Sequence, residues 1–355
     1  MRVLVAMSGG VDSSVAAALL VEGGHDVVGA TLKLWGGPSD SGCCSVADVE
    51  DARRVAQQLG IEHHTFNLSD EFGRRVVTPY VDAHAQGLTP NPCIECNRAI
   101  KFDMLLGRSE RLGFDALATG HHARIERARA GHSGAHGLRR GADTLKDQSY
   151  VLSMLGQREL ARVLFPVGDM TKDQVRALAA SLGLRTAGKP DSQDVCFIGR
   201  TDGRRGFLAD RIGLTPAEVF DTSGARVGEL DAVELVTVGQ RRGMGHGTDG
   251  RRRYVVAVDV PARRVTVGRA EDAAVGSVDL RRDTVTWTDR PLPSGAAAVA
   301  QTSAHGRPAP CRVVIGRDTV AVRFDSPQRP VAPGQTVALY DAADPDAVVG
   351  AGIAA

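Results

Sequence analysis

Arg2-Val3-Leu4-Val5-Ala6-Met7, running into Ser8-Gly9-Gly10-Val11-Asp12-Ser13-Ser14, decides how the first half of this chain folds. A β-branched, apolar run stops at two glycines, and small hydroxyl residues open an alanine-rich helix over 15–22. Glycine lets a backbone approach an anion closely, and the N–H groups and positive dipole end of a helix hold the anion there. Ser8, Ser13 and Ser14 add hydroxyl donors, and Asp12 can take up magnesium or orient the loop. The spacing differs from the Gly-x-x-x-x-Gly-Lys-Ser/Thr phosphate loop, and no lysine follows it. The pattern predicts a nucleotide phosphate site; a glycine turn of purely structural use is the bland alternative.

Outward from this loop, strand and helix patterns alternate. Strand candidates are 3–7, 27–33, 62–67 and 116–120, and helical patterns are 15–22, 46–59, 99–112 and 172–182. Such alternation predicts an α/β fold, a doubly wound parallel sheet with ligands at the carboxyl ends of its strands. Ser8-Gly9-Gly10 and Thr119-Gly120-His121-His122 then fall on the same edge. Beyond residue 200 the chain becomes glycine-rich, and 254–259 and 264–268 flank a Pro-Ala-Arg turn as a hairpin. From residue 279, short β segments (312–315, 319–324, 335–340) predict a small barrel or sandwich. The expected units are therefore 1–200, a small central 201–278 and a β-barrel 279–355. Residues 128–137, rich in Gly, Ala, His and Arg, read as a flexible loop.

A length of 355 residues with 43% hydrophobic and 24% charged content fits a globular protein of two or three domains. The sequence contains no run of about 18 apolar residues and no secretory leader pattern at its start. The expectation is a cytoplasmic protein without a membrane partner. A net charge of +1 does not advertise a nucleic-acid binder, yet Arg139-Arg140, Arg204-Arg205, Arg241-Arg242, Arg251-Arg252-Arg253 and Arg281-Arg282 permit a positive surface over the middle and end. Each pair is also consistent with a solvated face. Six cysteines are too sparse for a secreted disulfide scaffold.

Two cysteine motifs carry chemistry. In Asn91-Pro92-Cys93-Ile94-Glu95-Cys96-Asn97-Arg98, the prolines force an extended or turn path, and the helical pattern starts just after Cys96. A thiol beside a helix N-terminus and near Arg98 and Lys101 is expected to hold more thiolate. The second motif is Asp191-Ser192-Gln193-Asp194-Val195-Cys196-Phe197. Cys93-x-x-Cys96 alone admits four readings: half a zinc site, a redox pair, part of a three-cysteine iron–sulfur site with Cys196, or one catalytic thiol and a bystander. Cys43-Cys44 reads as a loop pair, Cys311 as core, and His63-His64 as a surface pair rather than a metal site.

The Ser8–Ser13 loop resembles the SGGxDS loop of ATP pyrophosphatases. With Asn91-Pro92, Cys96-Asn97, Lys101-Phe102, Thr119-Gly120-His121, Lys146-Asp147-Gln148-Ser149-Tyr150, the Cys196 motif and Gly239-Gln240-Arg241 in this order, the chain resembles the bacterial tRNA-specific 2-thiouridylase (MnmA) family essentially end to end. The resemblance implies a PP-loop ATP pyrophosphatase domain, a small central domain and a C-terminal β-barrel. It implies that ATP, with magnesium, adenylates the C2 oxygen of the wobble uridine of tRNA and that sulfur then replaces that oxygen. Cys96 and Cys196 are the implied catalytic thiols, Cys196 carrying a persulfide received from a sulfur-donor protein. Cys96 then releases sulfide or closes a disulfide with Cys196, which lies 100 positions away, so a mobile segment that closes over tRNA is expected around Cys196. Ala6, Met7, Ser8, Gly9, Gly10, Val11, Asp12 and Ser13 are implied for the ATP phosphates, Leu32 for adenine and Gly120 for the nucleotide. Asn91, Pro92, Cys93, His121, Lys146, Asp147, Gln148 and Gln335 are implied for tRNA, with the uridine splayed into a pocket near 91–93.

Cys93 departs from the family pattern, where aspartate is frequent. That departure raises the iron–sulfur alternative, with Cys93, Cys96 and Cys196 as ligands. Rival functions are an ammonia-using PP-loop enzyme, for which no glutaminase segment is evident, and a non-enzymatic RNA-binding protein.

Overall fold

The computed structural model describes residues 1–35, 45–127, 135–191, 195–199, 203–247 and 249–355. Cys43, Cys44, most of 128–137 and the Ser192-Gln193-Asp194 stretch lie outside the described residues. Strands β1 (Arg2–Ala6), β2 (Asp26–Lys33), β3 (Glu62–Asn67) and β4 (Ala116–Thr119) pair in parallel. The chain then leaves as a hairpin, β5 (Ala123–Glu126) and β6 (Gly137–Arg140), before β7 (Val163–Leu164) returns to β4. The sheet order is β3-β2-β1-β4-β7.

Alternation along β1 separates the two faces of this sheet. Val3 and Val5 pack with helices α1 (Val11–Glu22) and α2 (Val46–Leu59), whereas Leu4 joins a second cluster containing Phe72, Phe102 and Leu117. All three β1 side chains are fully buried, and each contributes about 1.5–3 kcal/mol of apolar burial. Ser45 caps α2 reciprocally with Asp48, and Gly60 ends it in the left-handed conformation.

Three local expectations are corrected. Helix α1 opens at Val11 rather than 15, so Asp12 lies in its first turn. The cysteine-bearing helical run opens at Pro92, not at 99: Asn91 accepts hydrogen bonds from the amides of Cys93 and Ile94, and the run continues past Cys96 in a wider π-helical winding. Pro92 fits because the first helical position needs no N–H. Cys93, and not Cys96, therefore occupies the first turn, and Arg98 is engaged by Glu95 at 3.0 and 2.5 Å. Third, Gly137 begins a strand instead of ending a loop.

The central region is a four-stranded sheet of β8 (Ala217–Asp221), β9 (Arg226–Leu230), β10 (Tyr254–Asp259) and β11 (Arg264–Gly268), in which the expected hairpin is β10–β11. The C-terminal strands are β12 (Val275–Arg281), β13 (Thr286–Trp287), β14 (Ala296–Gln301), β15 (Ala309–Ile315), β16 (Thr319–Gln328), β17 (Thr336–Asp341) and β18 (Ala347–Ile353). They run β12-β16-β15-β14-β17-β18, and a Leu280–Ala354 bridge joins the two ends. The β5–β6 hairpin extends the same sheet through Leu138–Val348 and Arg139–Ala347 pairing. Cys311 lies in this core, its thiol pushed up to about 11 by burial.

Candidate active site

The phosphate loop is built by close backbone packing. Gly10 caps α1 without a side-chain hydrogen bond, leaving the cap to whatever the loop embraces. Ser13 Oγ accepts from the Ser8 amide at 3.2 Å and donates to the Gly10 carbonyl at 3.2 Å, which fixes the turn. Gly9 has φ +73°, and a β-carbon there would sit 2.2 Å from the Asp48 carbonyl oxygen. Gly120 follows β4 and abuts the start of α1. Ala6 ends β1, and Met7 and Val11 are buried beneath the loop. Leu32 is 7% exposed and belongs to the core cluster, so any adenine contact would add to a packing role.

Charged partners from distant sequence close around this loop. Lys172 Nζ lies 2.8 Å from both carboxylate oxygens of Asp12 and 2.8 Å from Asp191 Oδ1. His122 Nε2 meets Asp12 Oδ1 at 3.1 Å. Burial raises the Asp12 pKa, but the hydrogen bonds from His122 and Lys172 outweigh it and leave the carboxyl below its ordinary value. Asp191 also receives Lys146 (2.8 Å) and Arg176 (2.9 Å); burial raises its pKa, but the hydrogen bonds from Lys146 and Lys172 overcome it and bring the carboxyl to about 2. Lys189 donates to the Gly9 carbonyl and to Asp48 and Asp51 at 2.9, 2.6 and 2.8 Å, pinning the loop to α2. Neither Lys172 nor Lys189 was assigned a role from the sequence, whereas His122 belongs to the second expected ligand loop, Thr119-Gly120-His121-His122.

Asp12, the expected magnesium ligand, is paired with Lys172 and His122 in this arrangement, so magnesium arriving with the nucleotide would have to displace Lys172 from it. Among the described residues, no three His, Cys, Asp or Glu side chains gather as a metal site. Cys93, Cys96 and Cys196 are all described, so the three-cysteine cluster site is not assembled in this arrangement. His63 instead bonds Thr31 at 2.9 Å.

Asn91, Pro92 and Cys93 line a cavity of about 610 Å³ together with Tyr80, His84, Val195, Ile198, Arg204 and Gln335. The 88–92 loop reaches Gln335 because the Thr89 amide donates to the Pro333 carbonyl at 2.8 Å. Cys93 is exposed, whereas Cys96 and Cys196 are half-buried and pack against one hydrophobic cluster. Phe197 anchors the second thiol segment: it is 3% exposed, with rings of Phe207, Tyr80, Phe72 and Trp35 at 5.1, 5.5, 5.7 and 6.1 Å. At the edge of this cavity His84 Nδ1 donates to the Glu234 carbonyl, 3.3 Å away, and burial pushes the His84 pKa down to about 4. Tyr80, His84 and Arg204 were not legible as site residues.

The remaining expected tRNA positions lie elsewhere. His121 is 8% exposed, bonded to Thr119 at 2.6 Å between the rings of Phe102 and Phe165, and burial holds its pKa well down. Asp147 pairs with Arg140 at 2.7 Å and bonds the Ser149 and Gly141 amides. Gln148 accepts from the His122 amide at 2.8 Å. These three side chains thus hold the fold together, and only Lys146 among that group is appreciably exposed, at 38%.

Residues 1–200 match the family model described as tRNA methyl transferase HUP domain, 205–269 the PRC-barrel domain of that name, and 277–354 an aminomethyltransferase beta-barrel domain. A protein of Roseiflexus castenholzii, "tRNA-specific 2-thiouridylase MnmA", is 46% identical over 361 residues, covering 96% of each chain. The protein of that name from Mycolicibacterium smegmatis is 46% identical over 98% of this chain and 96% of its own length. A solved "U34-tRNA thiolase NcsA from Methanococcus maripaludis with its [4Fe-4S] cluster" is 21% identical over 54% of this chain and 61% of that chain, with a TM-score of 0.35, too low to carry an argument. The ordered motifs, the parallel sheet joined to a β-barrel and identity of this depth over nearly the whole length place the chain in the tRNA-specific 2-thiouridylase (MnmA) family.

Proposed function

We propose that this chain is an ATP-dependent tRNA-uridine 2-sulfurtransferase. The observation that carries the reading is the joint presence of an uncapped, glycine-built phosphate loop and a cavity bordered by both thiol segments. The family-model descriptions speak of methyl transfer, but a polyphosphate cradle and two thiols are the equipment of adenylation and sulfur transfer. A uracil C2 oxygen is a poor leaving group. Its attack on the α-phosphorus of ATP expels pyrophosphate and leaves the oxygen bonded to AMP, a good leaving group.

The terminal sulfur of a Cys196 persulfide attacks C2, and AMP departs with the former oxygen. Cys96 thiolate then attacks Cys196 Sγ, forming the Cys96–Cys196 disulfide and releasing the thiocarbonyl; an external thiol resets the pair. The alternative order, Cys96 first releasing sulfide from the persulfide, ends in the same disulfide. The shared packing of the two cysteines supports either route, and closure of the Cys196 segment over tRNA would bring the sulfurs within bonding range. A persulfide-donor protein supplies the sulfur. Asn91, Cys93 and Gln335 border the uridine pocket, with Arg204 available to a phosphate or carbonyl oxygen. Lys146 is the tRNA-facing member of its motif. The working divisions are 1–200, 201–278 and 279–355, with the β5–β6 hairpin and the first residues of β12 joining the barrel sheet, and the chain acts in the cytoplasm.

Single-turnover sulfur transfer from a persulfide donor to unmodified tRNA, with ATP and magnesium, tests this. Thiouridine is expected from the wild type and from Cys93→Ser, and none from Cys96→Ser or Cys196→Ser. Thiolation without Cys196 would overturn the persulfide route, and loss in all three would return weight to a cluster.

A further inference from the structure

We infer that Lys172 is the exchangeable cation of the nucleotide site: it neutralises Asp12 when no nucleotide is bound and turns onto a phosphate oxygen when one arrives. The inference rests on the nucleotide reading above and adds a binding residue that the loop sequence lacks. Asp12 lies in the first turn of α1, where a polyphosphate must meet the helix amides, so incoming charge is repelled by that carboxylate. Among the described residues the one ammonium on Asp12 is that of Lys172, whose side chain is 9% exposed.

The surroundings let Lys172 leave without stranding either partner. His122 stays on Asp12 at 3.1 Å, and Asp191 keeps Lys146 and Arg176 at 2.8 and 2.9 Å. Asp12, Asp191 and the adjoining Asp143 balance Lys172, Lys146 and Arg176, so an arriving phosphate competes with carboxylates for Lys172 and does not enter an excess of negative charge. The Lys172 backbone is fixed, its amide donating to Asp143 Oδ2 at 2.9 Å where it begins the helix Lys172–Ser181. Its flexible stem alone has to move. Lys189, by contrast, holds the Gly9 carbonyl and fixes the loop itself.

The test is equilibrium binding of adenosine, AMP and ATP to the full chain by calorimetry. Wild type is expected to prefer ATP to adenosine. Lys172→Met should lose about tenfold to a hundredfold in ATP affinity while adenosine affinity holds, and Lys172→Arg should recover most of it. Asp191→Asn, which frees the ammonium without removing it, should keep or raise the ATP-to-adenosine ratio, and it decides the matter even if Lys172→Met does not fold. An unchanged ratio in Lys172→Met, an equal fall for ATP and adenosine, or a collapsed ratio in Asp191→Asn would each overturn the inference and leave Lys172 a structural tie. A wild type that binds neither ligand overturns the nucleotide reading itself.

Discussion

A β-carbon placed on Gly120 would lie 2.5 Å from the amide nitrogen of Ser13 and 2.6 Å from the carbonyl carbon of Asp12. Backbone atoms on both sides leave nothing free to rotate aside. Gly120→Ala is therefore expected to push β4 and α1 apart, costing about 1–3 kcal/mol and displacing the loop amides. Urea unfolding should show the loss, and ATP binding should weaken far more than for Gly228→Ala, where the added carbon meets open space.

Acid should weaken the fold in two windows. His84, held near 4 by burial and the Arg204 charge, stays neutral where an unfolded histidine takes a proton at about 6.5. The unfolded chain then binds more protons, so stability falls as pH drops from about 6.5 to 4. Asp191, brought to about 2 by hydrogen bonds that overcome burial, adds stability that is present above its ordinary 3.8 and lost as pH falls through 2. In denaturant melts across pH, His84→Gln should flatten the first interval and Asp191→Asn the second.

Phe197→Ala should cost about 3–5 kcal/mol, because it empties the centre of a five-ring cluster joining Trp35, Phe72, Tyr80, Phe197 and Phe207. Sulfur transfer should fall more than ATP binding, since the loss sits beside Cys196 and away from the loop. Phe197→Leu should restore most of the melting temperature; equal losses of both activities would show a general collapse instead.

Leu138→Ala is expected to cost about 2–5 kcal/mol, although the residue sits in a four-residue strand. Leu138 is fully buried and pairs with Val348 of the barrel, next to an Arg139–Asp344 ion pair at 2.7 and 3.0 Å. Hydrogen exchange should rise in β18 as well as in β5 and β6, whereas a defect confined to the hairpin would contradict the shared sheet.

Local chemistry made much of this legible. The apolar run ending at Ser8-Gly9-Gly10 announces strand, turn and helix within a dozen residues, and the alternation of segments announces a parallel sheet. Asn91-Pro92 misled because proline suggests an extended path, although here asparagine caps and proline opens a helix. Lys172 and Lys189 were invisible: a lysine carries no periodicity, and 160 positions separate Lys172 from the carboxylate it meets. Cavity residues Tyr80 and His84 lie in Thr78–Ala85, which carries no motif that marks a site, and Ala123–Glu126 is too short and too charged to declare itself part of a barrel.

The hairpin has a consequence for how such proteins can be recombined. Because residues 123–140 supply two strands to a sheet whose other members begin at Val275, the barrel is not a portable cassette. A chimera with a crossover near residue 275 would join one relative's hairpin to another's β18, and its viability would turn on whether Leu138–Val348 and Arg139–Asp344 survive the graft. Viable exchanges should carry both pieces together, so inheritance of the two segments is coupled across more than a hundred intervening residues.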